Sequence, residues 1–574
     1  MACGNAAIGI HDRGRRVRRP RLQRLKGEQR LLQQTPAAPP NSCEPLDTAL
    51  QNWEQAIALK PDWPEAYYAC GNVLVELRRY GDAIASFDKA IALKPDYSPA
   101  YNSRGNALQA LRRFDEAVET YDNAIAFKAD YAAAYSNRGN ALQSLNRFEE
   151  AIESYGKAIA LRPDYCDAYN NRGVSLRRLG RFDEASQDFE SAIAVLPDHA
   201  GLHNNRGNAL VALGRFEDAI ESYDTAIALS PHYPDVYDNR GVALKELKRF
   251  DEAMESFGKA LALKPDYHEA IFNRALLHLL MGRFDIGWRD YEARKNTREN
   301  VSNRCWGKPL WLGETDISGK TILVDWEQGF GDVIQMCRYI SLLKKAGATV
   351  LFLPQKNLRT LMRSLDPDVC IIDHDTVVPE FDLHCSVMSL PFAFKTDIGS
   401  IPSASYISAD KDKVALWRDR LGRKTKLRVG VVWKGNAFPG NSRSIELERF
   451  RRLFNPRLEF ISLQKEVTDA ERSLLDRAGV LHAGDAFADF SDTAALCVLM
   501  DLVISIDTSV AHLAGALGVP VWVLLNWAPD WRWLLDRDDS PWYPSMRLFR
   551  QKAQGDWNSV LERVELELEQ ALHV

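Results

Sequence analysis

One segment near the middle of the sequence combines glycines with a carboxylate, a combination suited to acid–base chemistry. It reads WEQGFGDVIQMCRY and begins at the end of the apolar run KTILVDW, which is typical of a buried strand. Gly329 and Gly331 predict a tight turn, and Asp332 then falls in the first turn of a helix. Such a carboxylate either complements the helix N-terminus or, kept ionised there, acts as a general base.

A second segment, DTSVAHLAGALG, has the features of an anion-binding helix start. Asp507, Thr508 and Ser509 follow the strand candidate DLVISID, and His512 lies in the first turn of a helix rich in small residues. Backbone N–H groups at a helix N-terminus bind phosphate, and His512 is placed to hydrogen-bond the same group. The alternative for His512 is a buried residue that packs against the sheet.

Basic and aromatic residues accompany these two segments. Lys434 and Arg443 lie in WKGNAFPGNSRSI, directly after the strand candidate VGVVW, where ligands of parallel sheets bind. Alone, two basic residues in a loop more often face solvent. Trp527, Trp531 and Trp533 lie in NWAPDWRWLLDRDDSPWYP and could stack on a base or a sugar ring, although core packing accounts for them equally well.

Taken in order with SLPFAFKTDIGSIPSASYI, these segments resemble the heptosyltransferase-like glycosyltransferases, family 9 and its relatives in the GT-B class. The resemblance is strongest to the bacterial form fused behind tetratricopeptide repeats, and it covers nearly the whole chain after the basic tail. It implies an inverting enzyme with a nucleotide-sugar substrate and no cofactor or metal, since the helix N-terminus replaces the cation. The roles it implies are a base for Asp332 and donor diphosphate contacts for Lys434, Arg443, Asp507, Thr508, Ser509 and His512.

The elements that position these residues are short strand candidates alternating with helical stretches after Trp306. They predict two Rossmann-type domains, an acceptor lobe over residues 306–420 and a nucleotide-sugar lobe over residues 421–574. The final stretch WNSVLERVELELEQAL predicts a closing helix that folds back across both. Two facing domains of this kind place a cleft between their strand ends.

The first half of the chain repeats a unit of thirty-four residues, from about Trp63 to Arg294. This period predicts an α-helical solenoid of stacked helix pairs over residues 46–300. A glycine column begins at Gly71 and an alanine column at Ala83, where small residues let helices approach closely. These columns resemble the tetratricopeptide repeat.

An asparagine recurs two residues before the glycine position. The column consists of Asn137, Asn171, Asn205, Asn239 and Asn273. On the concave face of a solenoid these amides could hydrogen-bond an extended polypeptide, and the column resembles the asparagine ladder with which O-GlcNAc transferase holds its acceptors. The alternative is an ordinary solvated groove residue, because asparagine is common at this position.

Composition limits the remaining possibilities. The 574 residues carry a formal net charge of -5, which indicates no general attraction to nucleic acid, although residues 1–45 predict a basic disordered tail. The nine cysteines show no zinc-binding spacing, which favours reduced thiols in a cytoplasmic protein. The apolar runs after residue 306 are shorter than the roughly 20 residues that a membrane helix needs.

Three functions fit this organisation. The first is a glycosyltransferase whose repeat groove recruits a polypeptide or other acceptor. The second is a protein-interaction scaffold with a weak or inactive transferase-like domain. The third is a transferase acting on lipopolysaccharide or another glycan, in which the repeats only dock the enzyme to a partner. The sugar, the nucleotide and the acceptor depend on pocket details that the sequence does not contain.

Overall fold

The computed structural model describes residues 45–297, 304, 306–435 and 443–572. All but the last residue of the predicted basic tail lies outside this part of the chain. By its internal contacts the chain divides into two compact units, one ending at Leu229 and one beginning at Ser230. This division differs from the change in sequence pattern near residue 300, because the last helical repeats belong to the second unit.

The described part of the first unit is a series of helices that alternate between fourteen and thirteen residues. They are α1 (Leu46–Leu59), α2 (Pro64–Glu76), α3 (Tyr80–Leu93), α4 (Ser98–Ala110), α5 (Phe114–Phe127), α6 (Ala132–Ser144), α7 (Phe148–Leu161), α8 (Cys166–Arg178), α9 (Phe182–Val195), α10 (Ala200–Ala212) and α11 (Phe216–Leu229). The predicted helical repeat array is confirmed over this range.

Helices pair because an aromatic ring on the second helix lies directly on a glycine of the first. A methyl group added at Gly71 would lie 2.5 Å from a ring carbon of Phe87, and one at Gly173 would lie 2.8 Å from Phe189. The alanine column was predicted to provide the close approach opposite these glycines. The alanines, such as Ala83, are fully buried, but the nearest neighbour of each glycine is the aromatic four residues further on.

The second unit begins with α12 (Pro234–Glu246), α13 (Phe250–Leu263), α14 (His268–Leu280) and α15 (Phe284–Tyr291), followed by a 3-10 helix, Glu292–Asn296. Ten strands in two sheets follow within the described residues. They are β1 (Thr321–Asp325), β2 (Thr349–Leu353), β3 (Cys370–Ile371), β4 (Leu383–Ser386), β5 (Arg428–Val432), β6 (Glu459–Ser462), β7 (Leu481–His482), β8 (Leu502–Ile506), β9 (Val521–Leu525) and β10 (Met546–Arg550).

Both sheets are parallel. The first has the order β3-β2-β1-β4 and the second the order β10-β9-β8-β5-β6-β7. Their helices are α16 (Phe330–Met336), α17 (Ile340–Lys345), α18 (Arg359–Met362), α19 (Leu390–Ala393), α20 (Lys411–Leu421), α21 (Leu447–Phe450), α22 (Asp469–Arg477), α23 (Phe490–Cys497), α24 (Ser509–Ala516) and α25 (Trp557–Ala571). The predicted change to parallel α/β structure is confirmed.

Three details add to the sequence analysis or differ from it. The helix predicted to carry Asp332 in its first turn is α16, and a 3-10 turn and α17 follow it directly. Strand β10 was not predicted. The apolar face of α25 lies in the core of the six-stranded sheet, with Trp557, Val560 and Leu561 buried beside strand residues such as Val431, instead of crossing both sheets.

Two further observations concern cysteines and membrane spans. The cysteines of the described residues are free thiols, at Cys70, Cys166, Cys337, Cys370, Cys385 and Cys497. Among the helices that the structure describes, none is both long and apolar enough to cross a membrane.

Candidate functional site

The carboxyl end of β1 leads into the loop that carries Asp332. The loop turns at Gln328, whose φ of 65° is left-handed, and Gly329 then caps α16 with a φ of -87°. Asp332 is the third residue of α16, and its Oδ2 accepts a 2.7 Å hydrogen bond from Gly329 N. The predicted turn through two glycines is therefore wrong, because Gln328 supplies the left-handed residue. The predicted capping role of Asp332 is observed.

Residues from the end of the helical repeats hold this loop in place. Tyr291 Oη and the Gln328 side-chain amide are hydrogen-bonded, with distances of 3.1 and 3.0 Å to its oxygen and nitrogen. Arg294 donates two 2.8 Å hydrogen bonds to the Glu327 carboxylate, and both side chains are buried. The strained backbone of Gln328 is thus fixed by side chains that the sequence analysis assigned only to the repeat array.

The second carboxylate oxygen of Asp332 is bound by Arg532, a residue that the sequence analysis did not predict. Arg532 Nη2 forms an ion pair with Asp332 Oδ1, Nε donates to Gln335 Oε1 at 2.7 Å and Nη1 donates to Asp530 Oδ1 at 2.7 Å. The side chains of Arg532 and Asp332 are 9% and 21% exposed. The available sequence signal was a lone basic residue between two tryptophans.

Burial determines the protonation behaviour of Asp332. Removal from water raises its pKa, whereas the positive charge of Arg532 and the N–H of Gly329 lower it, and the net direction is upward. The N–H of Gly329 at the helix start therefore favours the ionised form, but it does not outweigh the effect of burial. A raised pKa makes the ionised group a better proton acceptor.

Helix α24 begins at the carboxyl end of β8, as predicted from DTSVAHLAGALG. Thr508 is the residue before the helix, and its Oγ1 lies 2.9 Å from Ser505 Oγ. Ala511 and His512 donate hydrogen bonds to the Thr508 carbonyl, so the amides of Ser509 and the following valine come before the first helical bonds. These amides are suited to an anion.

His512 is buried, as the alternative interpretation expected, and it also lies beside the helix start. Its ring stacks on Trp533 at a centroid distance of 5.2 Å, and its Nδ1 lies 3.1 Å from Tyr543 Oη. Burial, followed by the positive charges of Arg532 and other arginines, holds the pKa of His512 well below its usual value. Near neutral pH it therefore offers a hydrogen bond and no charge.

Gly331 brings the two helix starts together. A methyl group at Gly331 would lie 3.0 Å from His512 Cδ2 and 3.4 Å from Ser509 Cα. Its missing side chain thus allows α16 to approach α24, a different role from the predicted turn. The residues predicted from two distant segments are brought together here: Asp332 on α16 and Asp507, Thr508, Ser509 and His512 at α24.

Of the two predicted basic residues, Arg443 lies close to this cluster and Lys434 is paired with a carboxylate. Arg443 Nη1 lies 3.9 Å from Asp507 Oδ2. Burial and the negative charge of Asp530 raise the pKa of Asp507 to about 6, against the opposing charge of Arg443. Lys434 Nζ contacts Glu471 Oε2 at 2.6 Å, so its charge is already partly neutralised. Residues 436–442 between the two lie outside the described chain.

Core packing accounts for two of the three predicted tryptophans. Trp531 and Trp533 are buried, and Trp531 packs edge-on against Trp288 at a centroid distance of 5.1 Å. Trp527 is half-buried, and Lys248 Nζ lies 3.6 Å from the centre of its ring. Only Trp527 therefore retains a partly open ring for stacking.

The asparagine column has partners within the repeats. Asn137 Nδ2 donates to Asn102 Oδ1 at 3.0 Å, and Asn205 Nδ2 donates to Asn170 Oδ1 at 2.9 Å. Asn171 likewise donates to Asn140, and Asn273 of the second unit donates to Asp238. Asn239 is half-buried in α12. Much of the donor capacity of the column therefore links neighbouring repeats.

No group of three or more histidine, cysteine, aspartate or glutamate side chains suited to a metal ion occurs in the part of the chain that the structure describes.

Family models match the helical repeats. A TPR repeat model matches residues 43–77, 71–111, 113–146 and 139–180, and two tetratricopeptide repeat models match residues 170–234 and 234–267. Tetratricopeptide repeats thus form the helical part of this chain. The predicted resemblance of the repeats is confirmed.

Individual proteins extend this comparison. Protein FlbA of Caulobacter vibrioides is 27% identical over 324 residues, which are 50% of this chain, and the chain spans about half of that protein (52%). The crystal structure of YrrB, a TPR protein with an unusual peptide-binding site, is 23% identical with a TM-score of 0.31, over 33% of this chain and 98% of YrrB. A TPR protein fragment from Cytophaga hutchinsonii is 19% identical with a TM-score of 0.35, over 40% of this chain and 96% of the fragment.

Proposed function

We propose that this protein is a metal-independent inverting glycosyltransferase of the GT-B class that moves a sugar from a nucleotide-sugar donor to an acceptor recruited by its tetratricopeptide repeats. The observation that carries the proposal is the meeting of two helix starts at the carboxyl ends of β1 and β8. One of them presents the carboxylate of Asp332, and the other presents backbone amides at Ser509. A base and an anion site side by side are the two parts that sugar transfer requires.

The reaction follows from these two parts. An acceptor hydroxyl attacks the anomeric carbon on the face opposite the leaving group, and its proton passes to Asp332. The bond between the anomeric carbon and the phosphate oxygen breaks, and the nucleotide leaves with the electron pair. Because the attack comes from the opposite face, the anomeric configuration is inverted.

The start of α24 would receive the negative charge that develops on the departing nucleotide. The amide of Ser509 and the neutral ring of His512 supply hydrogen bonds, and Arg443 supplies positive charge next to Asp507. The ammonium of Lys434, which contacts Glu471, would bind a donor phosphate at the same time and so contribute part of its positive charge. No step in this scheme needs a cation or a cofactor.

The acceptor is a polypeptide or a glycan, and its recruitment is the proposed role of the repeats. The asparagine column supplies carbonyl oxygens in addition to the donors already used between repeats. We place the reaction in the cytoplasm, which agrees with the free thiols of the described cysteines.

One observation favours the alternative of a scaffold with an inactive transferase-like domain. Asp332 is paired with Arg532 and Lys434 with Glu471, so two of the groups assigned to chemistry also have partners in the protein. A scaffold would bind partners through the repeats and would not respond to a nucleotide sugar.

Thermal unfolding of the full chain with UDP-, GDP-, ADP- and CMP-activated sugars separates the two functions. A donor at 100 times its dissociation constant adds roughly 2.7 kcal/mol to the unfolding free energy, so one nucleotide class should raise the melting temperature. Arg443→Ala should abolish this shift, whereas Arg537→Ala should keep it, because Arg537 forms an ion pair with the exposed Asp539. Nucleotide release from the stabilising donor should continue in EDTA. No shift with any donor would favour the scaffold.

A further inference from the structure

Arg532 uses every nitrogen of its guanidinium group. Its three nitrogens contact Asp332, Gln335 and Asp530, and its guanidinium carbon lies 4.2 Å from the ring centre of Trp531. A planar guanidinium with partners on all sides has one orientation. The surrounding protein groups therefore fix the position of Arg532.

The segment that carries Arg532 is anchored by aromatic packing. Trp531 contacts Trp288 of α15 at 5.1 Å and Trp542 at 5.9 Å between ring centres, and all three rings are buried. Helix α15 also carries Tyr291, which holds Gln328 in the loop before Asp332. The same helix thus supports both partners of the Asp332–Arg532 pair.

Other charged and titratable groups surround this pair. Asp530 lies on the segment of Arg532, Tyr291 on α15, and Asp507 and His512 at the start of α24. Arg443 and Arg338 contribute positive charge near His512. Among the described residues, Arg532 is the positive group in direct contact with Asp332, and Gly329 supplies the backbone donor.

We propose that Arg532 is the positioning residue of the base, holding Asp332 Oδ1 while Gly329 N holds Oδ2, so that the acceptor proton arrives on a lone pair which neither of them uses. A carboxylate has about four such lone-pair sites, and two are taken here. This inference rests on the proposed function, since it assigns a role within that reaction. It also explains a charged residue within a tryptophan-rich segment.

The pH profile of transfer distinguishes this role from simple packing. Replacement of the positive charge in Arg532→Gln removes an influence that favours ionised Asp332, so the acid limb of kcat/KM should move to higher pH by about 1 unit or more. Arg532→Lys keeps the positive charge but loses the several hydrogen bonds of the planar guanidinium. Its acid limb should therefore stay near the wild-type value while kcat falls. Arg537→Gln, in an exposed ion pair of the same segment, is the control and should match the wild type.

A second readout needs no activity. Urea unfolding of wild type, Asp332→Asn, Arg532→Gln and the double variant gives the coupling of the pair as a function of pH. Coupling should be present at pH 7 and lost as Asp332 takes up a proton at lower pH. Each unit of pKa difference corresponds to about 1.4 kcal/mol of coupling.

The outcomes separate the two claims. Coupling together with a shifted acid limb supports the positioning role. If Arg532→Gln does not fold, Arg532→Lys supplies the comparison with the wild type. An unmoved acid limb with no coupling in an active chain would overturn the role of Arg532 and leave the proposed function standing. Coupling in a chain that transfers no sugar from any donor would overturn both.

Discussion

Buried polar side chains are arranged differently between the repeat helices and at the carboxyl ends of strands β1 and β8. In the repeats, the asparagine and arginine columns pair donors with acceptors: Asn137 donates to Asn102, and Arg138 binds Asp122 and Ser154. At the carboxyl ends of β1 and β8, Asp332 and Asp530 share the single guanidinium of Arg532, and Asp507 lies nearby. Matched neutral amides stabilise a fold at little electrostatic cost, whereas several carboxylates buried close together cost free energy.

This contrast indicates where chemistry is expected. Burial raises the pKa of both Asp332 and Asp507, and such shifts cluster at functional sites. Among the described carboxylates of the repeats, Asp238 of α12 is the one whose pKa burial raises, and it occupies the position taken by Asn102 and Asn170 in earlier repeats. The comparison can therefore be tested from either side.

Asp332→Asn should have the largest effect. The amide cannot accept the acceptor proton, so we expect kcat to fall by about 10² to 10⁴. Nucleotide binding, followed by thermal shift, should remain because Ser509 and Arg443 are unchanged. Asp539→Asn, which alters an exposed ion pair, is the control. Wild-type turnover in Asp332→Asn would show that the carboxylate is only a helix cap, like a matched group of the repeats.

Asp238→Asn should convert this position into an ordinary member of the amide arrangement. Burial is the main cause that raises the pKa of Asp238 to about 7, and the side chain is 5% exposed. The folded state therefore holds a proton that the unfolded state releases near pH 4, so wild-type stability falls as pH rises from about 4 through about 7. The neutral variant lacks this loss.

Urea unfolding at pH 5 and pH 8 measures the effect. The variant should gain stability over wild type at pH 8, with an upper limit on the order of 4 kcal/mol, and the gain should be much smaller at pH 5. Asn273 keeps its acceptor, since an asparagine at position 238 still presents Oδ1, as Asn102 does to Asn137. Equal effects at both pH values would mean that Asp238 is ionised in the folded state.

The predictability of each region followed from the range of its interactions. The period of thirty-four residues predicted the helices because each pair repeats the same local contacts, such as Gly71 against Phe87. The segments around Asp332 and Ser509 were also predicted, since strand ends and helix starts have local signals. Arg532 was not, because its partner Asp332 is 200 positions away in the chain. Nor was strand β10, because its five-residue run MRLFR contains two arginines and lacks the continuous apolar run of the strands that were predicted.

The smallest expected effect concerns the asparagine column itself. Asn205→Ala removes the 2.9 Å hydrogen bond to Asn170 Oδ1, which should lower the unfolding free energy by about 1 kcal/mol. Asn123→Ala is the matched control, because exposed Asn123 donates its 3.0 Å hydrogen bond within its own helix, to the Glu119 carbonyl. If the column also binds the acceptor, Asn205→Ala should raise the acceptor KM as well, since the side-chain oxygen is lost with the donor. A loss of stability with an unchanged KM would assign the column to repeat packing alone, and the acceptor would then have to contact other residues of the groove.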